Sequence, residues 1–84
     1  MNTVIEYYQY FKKDLVKLTN DELVNRFNRE VGIRAFGIAR QGYLWALEEE
    51  FDKRKIDYSN IGNNKSISYK YVVFLKGKKL YCIN

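Results

Sequence analysis

Apolar residues recur with the period of a helix over the first two thirds of the chain and with the period of a strand near its end. Val4, Tyr8, Phe11, Leu15 and Leu18 follow at spacings of four, three, four and three, which places them on one helical face. Glu6, Lys13 and Lys17 lie opposite, and Tyr7 flanks the stripe. Thr3 with Glu6 three positions later fits a capping box, which satisfies the orphan N–H groups of a helix start. The pattern predicts a first helix over 3–17.

A second helix is predicted over 20–31. Thr19 and Glu22 make another capping box, and Leu18 and Leu23 stand where a hydrophobic staple would. Leu23, Phe27 and Val31 recur every four residues, with Val24 beside them. Gly32 is placed to end this helix in a left-handed conformation, and Ile33 is expected to fold back toward Phe27.

A third helix is predicted over 37–55. Phe36, Ala39, Tyr43, Leu44, Ala46, Leu47 and Phe51 form one broad apolar sector. Glu49–Lys53 and Glu50–Arg54 are acid-first i,i+4 pairs, each contributing about 0.2–0.5 kcal/mol on an exposed helix. Gly42 in the interior costs about 1 kcal/mol against alanine, a cost that close packing of another helix would explain. Trp45 points away from the apolar sector, with Ile38 beneath it. Two readings follow: Trp45 packs under the first helix or the hairpin, or it is an exposed anchor for a partner.

Residues 56–64 are turn-forming. The alternating, β-branched and aromatic stretch 66–75, with 79–83, then predicts an antiparallel hairpin. Glycine first in a two-residue Gly77–Lys78 loop fits a type II′ turn. That register sets Lys76 against Lys79, Leu75 against Leu80, Phe74 against Tyr81, Val73 against Cys82 and Val72 against Ile83. Ile67, Tyr69, Tyr71, Val73, Leu75, Leu80 and Cys82 then face the core, while Lys70, Val72, Phe74, Lys76, Lys79, Tyr81 and Ile83 face outward. An isolated hairpin is marginal in water, so helices must cover one face. Both its edges are expected to stay open, guarded by lysine or completed by a second copy of the chain. The expected fold is a single α+β domain over 1–84, with two to three helices packed on a C-terminal hairpin.

Charge sharpens this layout. Residues 58–84 carry five lysines and no acid, whereas residues 1–57 carry ten basic and ten acidic side chains. The net charge of +5 therefore resides in the hairpin segment. The sequence carries no histidine and one cysteine, Cys82, which leaves neither a Cys–His nucleophile pair nor a Cys/His zinc set. Glu48 and Asp52 stand one turn apart, without the further oxygen ligands calcium takes. No glycine-rich phosphate loop is present. The expectation is a non-catalytic protein without cofactor or metal. Its apolar runs are too short to span a bilayer and it opens on no signal-peptide pattern, so a cytoplasmic setting without membrane contact is expected.

Two binding readings remain. The first is nucleic acid, met by a basic aromatic platform of Lys70, Phe74, Lys76, Lys78, Lys79 and Tyr81. A helix-turn-helix reading is weaker, because Arg34, Arg40 and Gln41 would be followed on the recognition helix by Glu48–Glu50 and Asp52. The second is a protein partner or a homodimer, engaged through Ile38 and Trp45 or through the open hairpin edges.

Overall fold

In a computed structural model, which describes residues 2–34, 37–63 and 66–83, three helices precede a C-terminal hairpin. Helices α1 (Val4–Leu15), α2 (Asn20–Glu30) and α3 (Ile38–Lys53) are followed by a 3-10 turn at Ser59–Ile61. Strands β1 (Gly62–Asn63) and β2 (Ser66–Ile67) form a short ladder, and β3 (Val73–Lys76) pairs with β4 (Lys79–Cys82). The α+β fold expected from the pattern is the one observed. Phe36, expected in the α3 sector, and Lys65, at the start of the basic segment, lie outside the described residues.

Local chemistry starts the helices where the sequence places them. At α2 both halves of the capping box form: the Glu22 N–H donates to Thr19 Oγ1 at 3.1 Å and the Thr19 N–H to Glu22 Oε1 at 2.8 Å. At α1 the Glu6 N–H donates to Thr3 Oγ1, but the Glu6 carboxylate reaches the Asn2 N–H and the Thr3 hydroxyl instead of the Thr3 N–H. α2 reaches its C-cap at Val31, whose ψ of 130° is extended, and Gly32 follows with φ of +77° in a turn closed by the Ile33 N–H on the Glu30 carbonyl, a conformation glycine adopts without a Cβ penalty. Ile33 does not return to Phe27. It is 45 % exposed, because Tyr69 occupies the place against Phe27, with ring centroids 4.7 Å apart.

α3 is the central helix. Leu47 and Phe51 belong to the core with Leu15, Leu23, Phe27, Val73 and Leu80. Its Gly42–Trp45–Glu49 stripe faces α1. A Cβ built on Gly42 would stand 2.6 Å from Tyr7 Cβ, 2.7 Å from Tyr8 N and 2.8 Å from Val4 O, so the two backbones meet there. The close approach inferred for Gly42 is therefore real.

Glu50 and Arg54 are more than a surface pair. Glu50 is buried, and Arg54 Nε donates to its Oε2 at 2.7 Å. The same guanidinium donates to Asn20 Oδ1 and to the Leu15 carbonyl, both at 3.1 Å. Arg54 thus ties the end of α3 to the end of α1 and the start of α2.

The hairpin register is the expected one, Val73↔Cys82 through Lys76↔Lys79. Gly77 has φ of +64° and Lys78 does not have a positive φ, which is the type II′ combination. Val73 and Leu80 are fully buried on the helix side, with Leu75 and Cys82 packed beside them.

Two expectations need correction. First, 66–75 is not one strand. Ser66–Ile67 pairs with β1, and the backbone after it bonds elsewhere: the Ser68 N–H donates to the Ile61 carbonyl and the Gly32 N–H to the Tyr69 carbonyl. The alternation breaks as a result, and Tyr71, assigned to the core face, is 49 % exposed. Second, the hairpin edges are not open along their length. On β3 the Val73 N–H donates to Asn28 Oδ1 and the Val73 carbonyl accepts from Asn28 Nδ2, both at 2.9 Å. On β4 the Leu80 N–H donates to the Asp57 carbonyl, and the Leu80 carbonyl accepts from Asn60 Nδ2 at 3.0 Å. Side-chain amides and a neighbouring segment supply the bonds that another strand would have made.

Candidate nucleic-acid interface

Strand alternation sends Val72, Phe74, Tyr81 and Ile83 to the outer face of the hairpin, where the helices do not cover them. Phe74 and Tyr81 are cross-strand partners. Their rings lie 5.6 Å apart at 23°, and both remain more than a third exposed. The Ile83 N–H donates to the Val72 carbonyl at 3.0 Å, which continues the pairing one step beyond the ladder. The outcome is an apolar strip two residues wide, against the usual rule that the solvent face of a strand is polar.

Lysines border the strip unevenly. Lys76 and Lys79 pair directly across the strands at its turn end. Like charges directly opposite each other destabilise a sheet, so their juxtaposition has a local cost. Lys79 Nζ lies 6.0 Å from the Tyr81 ring centroid and 3.9 Å from Asp57 Oδ2. The Ser59 N–H bonded to Asp57 lowers the pKa of that carboxyl, so Asp57 offsets part of the Lys79 charge. Lys78 turns away: its Nζ donates to the Arg54 carbonyl at 2.9 Å, at the negative end of α3. Lys70 lies before β3, with its Nζ 5.5 Å from the Tyr71 ring. Of the six platform residues expected from sequence, Phe74, Lys76, Lys79 and Tyr81 share one face, Lys70 stands outside the strands, and Lys78 is committed to the fold.

The second candidate surface is on α3. Ile38 is 42 % and Trp45 44 % exposed. Trp45 packs in part against the first helix. One face of its indole stacks on Tyr8 of α1 at 4.0 Å, and the rest faces solvent. The Tyr8 hydroxyl donates to Glu49, whose carboxylate also pairs with Lys12 at 3.4 Å. The bond to Glu49 is the main reason the Tyr8 pKa is raised.

A third surface was not visible in the sequence. Arg26 and Arg29 of α2 and Arg40 of α3 line one cleft of about 430 Å3, floored by Phe11 and Tyr43. These residues come from three helices, and only packing brings them together. From sequence, Arg40 is expected only as a residue near DNA at the start of a recognition helix. Here its Nε donates to Glu30 Oε1 and its Nη2 to the Glu30 carbonyl, both at 3.2 Å.

Among the described residues no group of three or more Cys, Asp or Glu side chains is arranged to hold a metal ion. No described helix is long and apolar enough to cross a membrane. Neither a protein-family model, nor a curated protein, nor a solved structure matches the chain.

Proposed function

We propose that the protein is a non-catalytic, cytoplasmic binder of single-stranded nucleic acid that uses the outer face of β3–β4. The observation that carries this reading is the exposed Phe74–Tyr81 pair with Lys76 and Lys79 at its end. Unpaired bases stack on such rings for about 1–3 kcal/mol each, with little preference for sequence. Lys76, Lys79 and Lys70 meet the phosphates, and Val72 and Ile83 extend the apolar floor. Duplex DNA is a poorer fit, because its bases are already stacked on one another.

Fluorescence anisotropy with a labelled single-stranded oligonucleotide at several salt concentrations tests the proposal. Three lysine–phosphate contacts give a slope of log K against log salt of about −2. Changing Lys70, Lys76 and Lys79 to Gln should flatten that slope, and Phe74→Ala or Tyr81→Ala should weaken binding by about tenfold, the loss of one stacked base. No anisotropy change at low salt overturns the reading. Exposure of Ile38 and of one side of Trp45 favours a second reading, a protein partner docked on α3. Trp45→Ala separates the two: it should leave oligonucleotide binding intact and abolish capture of such a partner.

A further inference from the structure

The arginine cleft is independent of the hairpin, and its lining points to a ligand of different size. Arg26 and Arg29 stand three residues apart on α2, a spacing that puts both on one helical face. Among the described residues, no carboxylate lies within 4.0 Å of either guanidinium. Arg40 is different, because it is already paired with Glu30. Three guanidiniums against one carboxylate leave two net positive charges in the cleft.

The Glu30–Arg40 pair also has a structural effect. Two bonds from Arg40 reach the Glu30 side chain and main chain, so the end of α2 is held against the start of α3. Arg26 and Arg29 line the cleft and also border Glu22 in the neighbouring recess, without an ion pair closer than 4.0 Å among the described residues. A guanidinium presents its donors in a planar fork that matches the oxygens of a phosphate group.

The floor is apolar and aromatic. Phe11 and Tyr43 meet edge to face, with centroids 4.9 Å apart, and Ala39 adds no bulk beside them. Burial raises the Tyr43 pKa, and Arg26 is near enough to oppose that rise, so the phenol and the guanidinium share the same recess. The recess of about 430 Å3 is shallow and open, so a small ligand would lie across it with one side in solvent.

We propose that this cleft binds a small phosphomonoester carrying a planar ring, of which a nucleoside monophosphate is the simplest example. Its dianionic phosphate lies between Arg26 and Arg29. Its ring lies on the Phe11–Tyr43 floor. Neither contact involves the outer hairpin face.

Titration of 15N-labelled protein with adenosine monophosphate, inorganic phosphate and adenosine tests this. The monophosphate should shift amides of α2 and α3 around Arg26, Arg29, Arg40 and Tyr43. Inorganic phosphate should bind about tenfold more weakly, the equivalent of ~1.4 kcal/mol, and adenosine weaker still. Arg26→Gln should cost about tenfold in affinity, as expected for one lost charge-assisted bond. Arg29 is exposed, so Arg29→Glu tests the charge requirement in a chain that still folds, with far-UV circular dichroism as the check. Equal binding of inorganic phosphate and the monophosphate overturns the ring-binding half of the proposal. Binding unchanged by Arg29→Glu, or shifts confined to Phe74 and Tyr81, overturns the site itself.

Discussion

Gly42→Ala sets two measurable effects against each other. Alanine in a helix interior is favoured over glycine by about 1 kcal/mol, so an isolated α3 would gain from the change. In the folded chain the added methyl would stand 2.6–2.8 Å from Tyr7 Cβ, Tyr8 N and Val4 O. Ordinary carbon contacts lie at ~3.5–4.0 Å, so all three atoms must retreat. Two of them are backbone, and no rotamer change removes them. α1 has to move as a body, which loosens the Tyr8–Trp45 stack at 4.0 Å and the Phe11–Tyr43 contact at 4.9 Å. Overpacking of this kind costs about 1–3 kcal/mol. Against a rigid partner the upper end applies, and the net expectation is a loss of about 2 kcal/mol. For a domain of this size that lowers the melting temperature by ~10 °C. Thermal melts by circular dichroism give the magnitude, and Trp45 emission reports whether α1 has separated from α3. Gln41→Ala, at an exposed position next door, should leave the melt within a few degrees of the parent. A Gly42→Ala protein as stable as the parent would refute the backbone contact on which the helix pair is built.

Two further outcomes are expected. Arg54→Ala leaves Glu50 buried without its partner and releases the Leu15 carbonyl, and should cost about 3 kcal/mol in urea unfolding; a loss under ~1 kcal/mol would mean the pair is solvated. The Tyr58 hydroxyl donates to Asp52 Oδ1 at 2.6 Å, which pushes its pKa from 10.0 up to about 12. The folded chain then holds this proton longer than the unfolded one, so the contribution is complete below pH 10 and disappears as pH rises toward about 12. Urea midpoints across that window should fall more steeply for the parent than for Tyr58→Phe, and parallel curves would discount the bond.

Legibility in the sequence followed the range of the interaction. Thr19 with Glu22, Gly32 and Gly77 act over a few residues, and each forms what its spacing implies. The hairpin register was readable because Gly77 fixes the turn and the turn fixes every pair after it. Tyr71 departs from the core face because alternation does not run through Ser68 and Tyr69, whose backbone bonds to Ile61 and Gly32; hairpin pairing resumes only at Val72. Asn28 and Asn60 gave no sign that they would clasp strand edges, since neither has a strand-like neighbourhood of its own. Glu50–Arg54 was visible as a pair, but its importance depends on the ends of two other helices. The platform was half legible for the same reason: Phe74 and Tyr81 follow from alternation, while the capture of Lys78 by the end of α3 is tertiary. The arginine cleft is tertiary throughout.

The asparagine clasp on β3 bears on how the molecule behaves in company. A basic chain with exposed Phe74, Tyr81, Val72 and Ile83 on a short sheet has the makings of a self-templating strand. Asn28 presents an amide to Val73 in the orientation a main-chain peptide would take, and the segment at Asp57–Asn60 does the same for Leu80. Sheet growth is terminated at both of those residues by groups that belong to the same molecule. At those two positions the backbone is withheld from a neighbouring chain, and what is offered there is side chains. A concentrated solution of the protein should for that reason remain free of ordered aggregates despite the apolar strip it displays.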